Sequence, residues 1–118
     1  MSDLNDPRTE RAEQAKVAHA ALGEQLNSLE RYLTTVTGTT ATCERDRNGV
    51  RIRMQDRGQF LLRRGAVVES LTFDRAEVDR LLLDERVQSE LDAIERLIDQ
   101  LDSLEIRENT VDVERRER

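Results

Sequence analysis

The stretch "CERDRNGVRIR", residues 43–53, sets an Asn-Gly pair between two short runs in which acidic, basic and apolar residues alternate. Asn48-Gly49 is a strong hairpin signal, because a two-residue type I′ turn needs positive φ at both central positions. With those two residues at the turn, Arg47 faces Val50, Asp46 faces Arg51, Arg45 faces Ile52, Glu44 faces Arg53 and Cys43 faces Met54. One face then carries two acid–arginine pairs. The other carries Cys43, Val50, Ile52 and Met54, with Arg45 and Arg47 towards the tip, since successive side chains of a strand point to opposite faces.

Further along, "DRG" at 56–58 reads as a three-residue loop with Gly58 in the left-handed position, which sets Met54 against Phe60 and Ile52 against Leu62. A third turn near Arg64-Gly65 leads into "AVVESLTF", where Val67, Leu71 and Phe73 continue the apolar face and Glu69 interrupts it. Residues 41–73 are therefore expected to form a four-stranded antiparallel β-meander.

Both flanks have a helical period. Asp6 followed by Pro7 is a good helix start after a short tail, residues 1–6, because Asp caps free N–H groups and proline's missing N–H costs nothing at the first position. Ala12, Ala15, His19, Leu22, Leu26, Leu29, Leu33 and Val36 then follow alternating steps of three and four, a heptad seam. The β-branched run "TTVTG" and Gly38 stop it, which predicts a helix over 7–37, roughly 45 Å long. After the sheet, Asp74 is a cap with Glu77 as its capping-box partner and Phe73 with Val78 as a hydrophobic staple, predicting a second helix over 74–106. Leu83, Val87 and Leu91 are spaced by four, a stutter, before Ile94, Ile98 and Leu101 resume the alternation. Leu97 and Leu104 widen the stripe, and residues 107–118 read as a polar tail that frays. The expected fold class is α+β: two long amphipathic, coiled-coil-like helices flanking a small four-stranded meander, as a helical hairpin with the sheet at one end.

A chain of 118 residues with 37% charged and 36% hydrophobic residues but only three aromatic ones points to one domain whose apolar surface lies along helix seams rather than in a deep core. Such seams are expected to need a second copy, with Leu22, Leu26, Leu29, Leu33, Val87, Leu91, Ile94, Ile98 and Leu101 as an oligomer interface. No run of 18 apolar residues and no signal-peptide pattern occurs, and Cys43 is the single cysteine, so a cytoplasmic protein without membrane contact is expected. Eighteen of nineteen basic residues are arginine and the net charge is −6, which suits a salt-adapted source; full folding without added salt would argue against that habitat.

Catalysis needs a reactive group with an orienting partner, and candidates are few. His19 is the one histidine, so a histidine metal cluster cannot form within a chain; it reads as a partly buried heptad position that helps set register. Cys43 falls on the apolar face of the expected sheet with no histidine near it in sequence, and reads as a buried small hydrophobe. No phosphate-cradling glycine loop, zinc motif or serine nucleophile elbow occurs. An enzyme is not expected, nor a cofactor, a metal or a small-molecule substrate.

The charge distribution is more informative. Residues 40–70 hold seven arginines and four acids, whereas the rest holds twelve bases and twenty-one acids, so a basic head sits on an acidic stalk. Arg45, Arg47, Arg63 and Arg64 lack an expected acid partner and gather at the end of the meander that holds the turns near 48 and 65, away from the helices. Three functions follow as expectations. The first is a protein–protein interaction or assembly module that oligomerises through its helices and presents the basic tip to a protein. The second is a nucleic-acid-associated regulator using the same arginines, although the acidic stalk and the lack of aromatic residues for base stacking speak against it. The third comes from topology. The order helix, small antiparallel sheet, helix is similar to that of prefoldin subunits, in which sheets join subunits and coiled-coil arms hold unfolded clients, and this resemblance implies a holdase.

Overall fold

The structure is a computed structural model that describes the backbone of residues 7–64 and 66–116, and the side chains of residues 8–64 and 66–104. The expected tail 1–6 lies outside the described residues. The elements are α1 (Pro7–Thr37), β1 (Ala41–Asp46), β2 (Gly49–Met54), β3 (Gly58–Arg63), β4 (Ala66–Leu71), α2 (Arg75–Leu82) and α3 (Glu85–Arg116). The strands form one antiparallel sheet in the order β1-β2-β3-β4. The fold is therefore α+β, with long helices α1 and α3 packed together and a four-stranded meander between them in sequence.

α1 and α3 run antiparallel. Gln25 and Ser28 reach Glu90, while Tyr32 reaches Asp84, so rising numbers on one helix meet falling numbers on the other. Along the seam Leu22, Leu29, Leu33, Val87, Leu91, Ile94 and Leu101 are buried, and Leu26 and Ile98 pack partly buried against the same cluster. Seven of the nine residues expected to face a second copy are thus buried within one chain, and the other two are partly buried there. The premise that one chain cannot cover its own seams does not hold, because the sheet lies along the hairpin and adds Ala41, Cys43, Val50, Ile52, Met54, Phe60 and Leu62 to a common core. The expected placement of the sheet at one end of the hairpin is corrected in the same way.

The N-terminal half of the α1 seam is offset by one residue from the expected one. Ala18 is buried and His19 is exposed, so the histidine does not occupy the heptad position assigned to it. Small Ala18 permits close approach where imidazole would not, and Val36 at the other end is also exposed. Gly38 ends α1 as expected, at φ 70 with its N–H donating to the Thr34 carbonyl over 3.0 Å.

The sheet keeps the expected faces with a register moved by two. Cys43 pairs with Ile52, Arg45 with Val50 and Asp46 with Gly49, leaving Arg47 and Asn48 as the loop. Asp46 decides this: its carboxylate accepts from the Asn48 N–H at 3.0 Å, an Asx turn that competes with a type I′ turn one residue later. Gly49 instead enters β2 at φ 148, and a Cβ there would collide with the Leu62 carbonyl oxygen of β3. The second loop moves likewise. Met54 pairs with Gly58, Ile52 with Phe60 and Val50 with Leu62, while Asp56 takes the left-handed conformation at φ 64. A shift of two preserves every facing, so the apolar side remains apolar.

β4 departs from simple alternation. A bulge sets Leu62 opposite Val67 but Leu61 opposite Glu69, turning the strand over beyond Val68. Glu69, which interrupted the expected apolar face, thereby lies on the outer face within 3.9 Å of Arg51. Leu71 was expected inward and is instead on that outer side, 45% exposed, and Ser70 takes the place opposite Phe60.

The second long helix is also interrupted. α2 ends at Leu82, Leu83 is 77% exposed, and Asp84 caps α3 by accepting from the Arg86 N–H at 2.8 Å. The expected continuous helix over 74–106 is corrected to two helices, broken inside the stutter because Asp84 also takes the Tyr32 hydroxyl of α1 at 2.5 Å. At its far end the α3 backbone stays helical to Arg116, into the segment expected to fray.

Two glycines test these roles. Gly23 lies inside α1 with nothing near its missing Cβ, so Gly23→Ala is expected to stabilise the chain by about 0.5–1 kcal/mol. Gly49→Ala is expected to lower stability by more than about 1 kcal/mol, through both the φ and the collision with β3. Urea midpoints moving in opposite directions for the two variants check this.

Candidate functional site

Two ion pairs pin the sheet to the helices. Arg57, in the second loop, pairs with Glu77 of α2 and lies over the Phe73 ring, 5.6 Å from its centroid. Arg45, on the inner face of β1, pairs with Asp102 of α3. The β1 edge is covered as well: Ala41 N–H donates to the Thr34 hydroxyl at 3.0 Å and Cys43 N–H to the Glu30 carboxylate at 2.7 Å, so helix side chains satisfy strand donors that a fifth strand would otherwise seek.

Between the tip of the sheet and α3 lies an open cleft of about 1030 Å³. Arg45, Arg47, Arg63 and Arg64 all line it, so the four arginines singled out from the sequence share one site. Their state differs from expectation. Arg45 is consumed by Asp102 and Arg47 interacts with Asp46 beside it in the turn, while Arg63 and Arg64 are exposed and, among the described residues, engage no acid. Nor does the tip point away from the helices, because α3 forms the opposite wall.

That wall is acidic. Asp92, Glu95, Asp99 and Asp102 follow steps of three, four and three, which places them on one face of α3, each directly after a seam residue of the set Leu91, Ile94, Ile98 and Leu101. This stripe is readable in the sequence as a second heptad-spaced row, and it was hidden only by the general abundance of acids. Asp92 pairs with Arg96 at 3.1 Å, and Asp99 is exposed and engages no cation among the described residues. In all, five arginines and five carboxylates line the cleft, and Val50 and Ile98 are the only apolar side chains in its lining.

The pairs expected across the first hairpin do form, but diagonally. Arg53 meets Glu44 at 2.9 Å and Arg51 meets Asp46 at 3.1 Å, although neither pair is directly opposite. The Asn48 N–H and the Arg51 guanidinium together hold the Asp46 carboxyl below the usual carboxylate range, which ties the turn that carries Arg47 to β2.

At the other end of the hairpin, Tyr32, Asp84 and Arg86 form a joint. The Tyr32 hydroxyl, with the Arg86 and Val87 N–H groups, holds the Asp84 carboxyl below its usual range, and the same hydrogen bond raises the Tyr32 phenol above 10.0. Arg86 lies 5.3 Å from the Tyr32 ring centroid. Cys43 is buried as expected; burial first, and Glu30 second, push its thiol up to about 12. A protonated thiol at neutral pH is no nucleophile. Among the described residues no group of His, Cys, Asp and Glu is placed to hold a metal ion, and no helix is long and apolar enough to cross a membrane.

No family model, curated protein or solved structure matches the chain. The cleft must be understood from its own chemistry.

Two outcomes follow. Asp84 ionises more readily in the folded chain, so its contribution to stability is complete above the ordinary value of 3.8 and is lost as pH falls through the lower folded value. Asp84→Asn keeps a capping oxygen, and it is expected to narrow the difference in urea midpoint between about pH 7 and about pH 3. Cys43 is expected to resist iodoacetamide in the folded chain at about pH 8 and to react rapidly in urea, as followed by mass spectrometry.

Proposed function

We propose that the chain is a non-catalytic interaction module that holds an acidic protein surface through Arg47, Arg63 and Arg64. The observation that carries this reading is that these three guanidinium groups are exposed at the mouth of one cleft and, among the described residues, none forms a salt bridge or hydrogen bond with a carboxylate, in a chain whose net charge is −6. In a protein with an excess of carboxylates, unpaired arginines could have been satisfied internally, as Arg45, Arg51, Arg53 and Arg57 are. Arginine's planar fork suits carboxylate in particular, since it can donate two parallel hydrogen bonds.

The remaining readings have less support. A nucleic-acid strand bound at the tip would find no aromatic side chain for base stacking among the described residues that line the cleft, and its unbroken row of phosphates would run beside Asp92, Glu95 and Asp99, whereas a protein surface can set single carboxylates against the arginines alone. Assembly through the helix seams, or capture of unfolded clients on helical arms, calls for apolar surface that Leu22, Leu29, Leu33, Leu91 and Ile94 have already spent inside the chain.

Fluorescence anisotropy with a labelled octaglutamate peptide and a labelled DNA duplex of about 20 base pairs separates these readings. The expected result is salt-sensitive binding of the peptide that is lost in Arg47→Ala/Arg63→Ala/Arg64→Ala, with weaker retention of DNA. Tighter binding of DNA, with a steep salt slope carried by the same arginines, would replace the proposal with the nucleic-acid reading.

A further inference from the structure

The cleft has two walls, and a partner that satisfies only one leaves the other unanswered. Among the described residues, Arg63 and Arg64 on the sheet side and Asp99 on the α3 side engage no group of opposite charge, and Arg47 on the sheet side interacts with Asp46 without forming a salt bridge. Lining cations and anions balance at five each, so the site as a whole neither attracts nor repels by net charge and discriminates by where charge lies. A purely acidic segment gains the arginines and is opposed by the α3 stripe. A purely basic one has the reverse problem. Because only Val50 and Ile98 offer apolar contact, apolar anchoring contributes little and the arrangement of charge has to supply the selectivity. The volume of about 1030 Å³ is enough for a length of peptide chain rather than a single ion.

We propose that this cleft binds an extended peptide segment of a partner protein in which acidic and basic residues alternate, its carboxylates set against Arg47, Arg63 and Arg64 and a lysine or arginine set against Asp99. An extended chain presents successive side chains to opposite sides, so strict alternation sorts one sign onto each wall. This inference rests on the reading of the arginines as a protein-binding surface, and it adds the helix wall as a second determinant. Asp99 is an exposed residue of the α3 wall of the cleft and is absent from the buried core, so changing it leaves the fold in place.

The test uses the full chain and three labelled peptides of equal length: alternating Glu-Lys, a block of four glutamates followed by four lysines, and octaglutamate. Wild type is expected to prefer the alternating peptide over the block peptide of the same composition by about two- to fivefold, the range of one exposed ion pair. Asp99→Asn is expected to erase that preference and to strengthen octaglutamate binding. Arg63→Ala/Arg64→Ala is expected to weaken the alternating peptide and octaglutamate together. Equal binding of alternating and block peptides by wild type, or an unchanged preference in Asp99→Asn, overturns the two-wall proposal while leaving the arginine reading standing. Failure of wild type to bind either octaglutamate or the alternating peptide at low salt overturns both. Circular dichroism of each variant confirms that a lost preference reflects the cleft and not unfolding.

Discussion

Everything in this molecule depends on α1 and α3 closing their apolar seams on each other within one chain. Leu29, Leu33, Ile94 and Leu101 are almost wholly removed from solvent, and the inner face of the sheet is laid over the same cluster. The dimensions of 53 × 31 × 23 Å show how this is done: the hairpin supplies the length, and the sheet fills its flank instead of extending it. Because β1 runs beside α1, with Thr34 and Glu30 answering its free N–H groups, the hairpin loops near 47 and 64 are carried to the middle of α3. The cleft is a by-product of that placement. Were the sheet to stand off the end of the helices, its arginines would have no acidic wall to face.

The periods of the sequence made most of this legible. The change from heptad spacing to alternation near residue 40, and back after Phe73, located every strand and both long helices, because burial on one face leaves a direct trace in residue order. Loop positions were less legible. Asn48-Gly49 carries the dipeptide signal, yet the Asp46 carboxylate bonds the Asn48 N–H and draws the turn back by one residue. The same competition cannot be weighed from composition, since it depends on Gly49 being required where β2 meets Leu62. The break at Asp84 depends on Tyr32, which is fifty-two residues away in the chain. The packing of the seams within one chain follows from the sheet's position, which local patterns do not encode.

The site was half visible. Its basic wall came from arginines left over after pairing; of the four, Arg45 is claimed by Asp102 on a distant element and Arg47 interacts with Asp46, while Arg63 and Arg64 engage no acid among the described residues. The acidic wall was present in the sequence as a heptad-spaced row and looked like ordinary solvated helix surface. Its significance comes only from what stands across from it. Charge on a helix face says little alone; opposite an exposed guanidinium it becomes half of the proposed recognition surface.

Glu90 carries one more implication. It is buried in the hairpin seam, where Gln25, the Ser28 hydroxyl at 2.9 Å and Arg86 at 3.0 Å share its two carboxylate oxygens. Leucine rows are nearly indifferent to a slide of seven residues, so such a hairpin could in principle settle in staggered alternatives. A hydrogen-bonded polar group inside the rows opposes that freedom, since any stagger would strand it without its donors among aliphatic side chains at a penalty of about 1–3 kcal/mol. Glu90 therefore acts as an index pin, and the alignment it enforces is what keeps the carboxylates of α3 level with the arginines of the sheet.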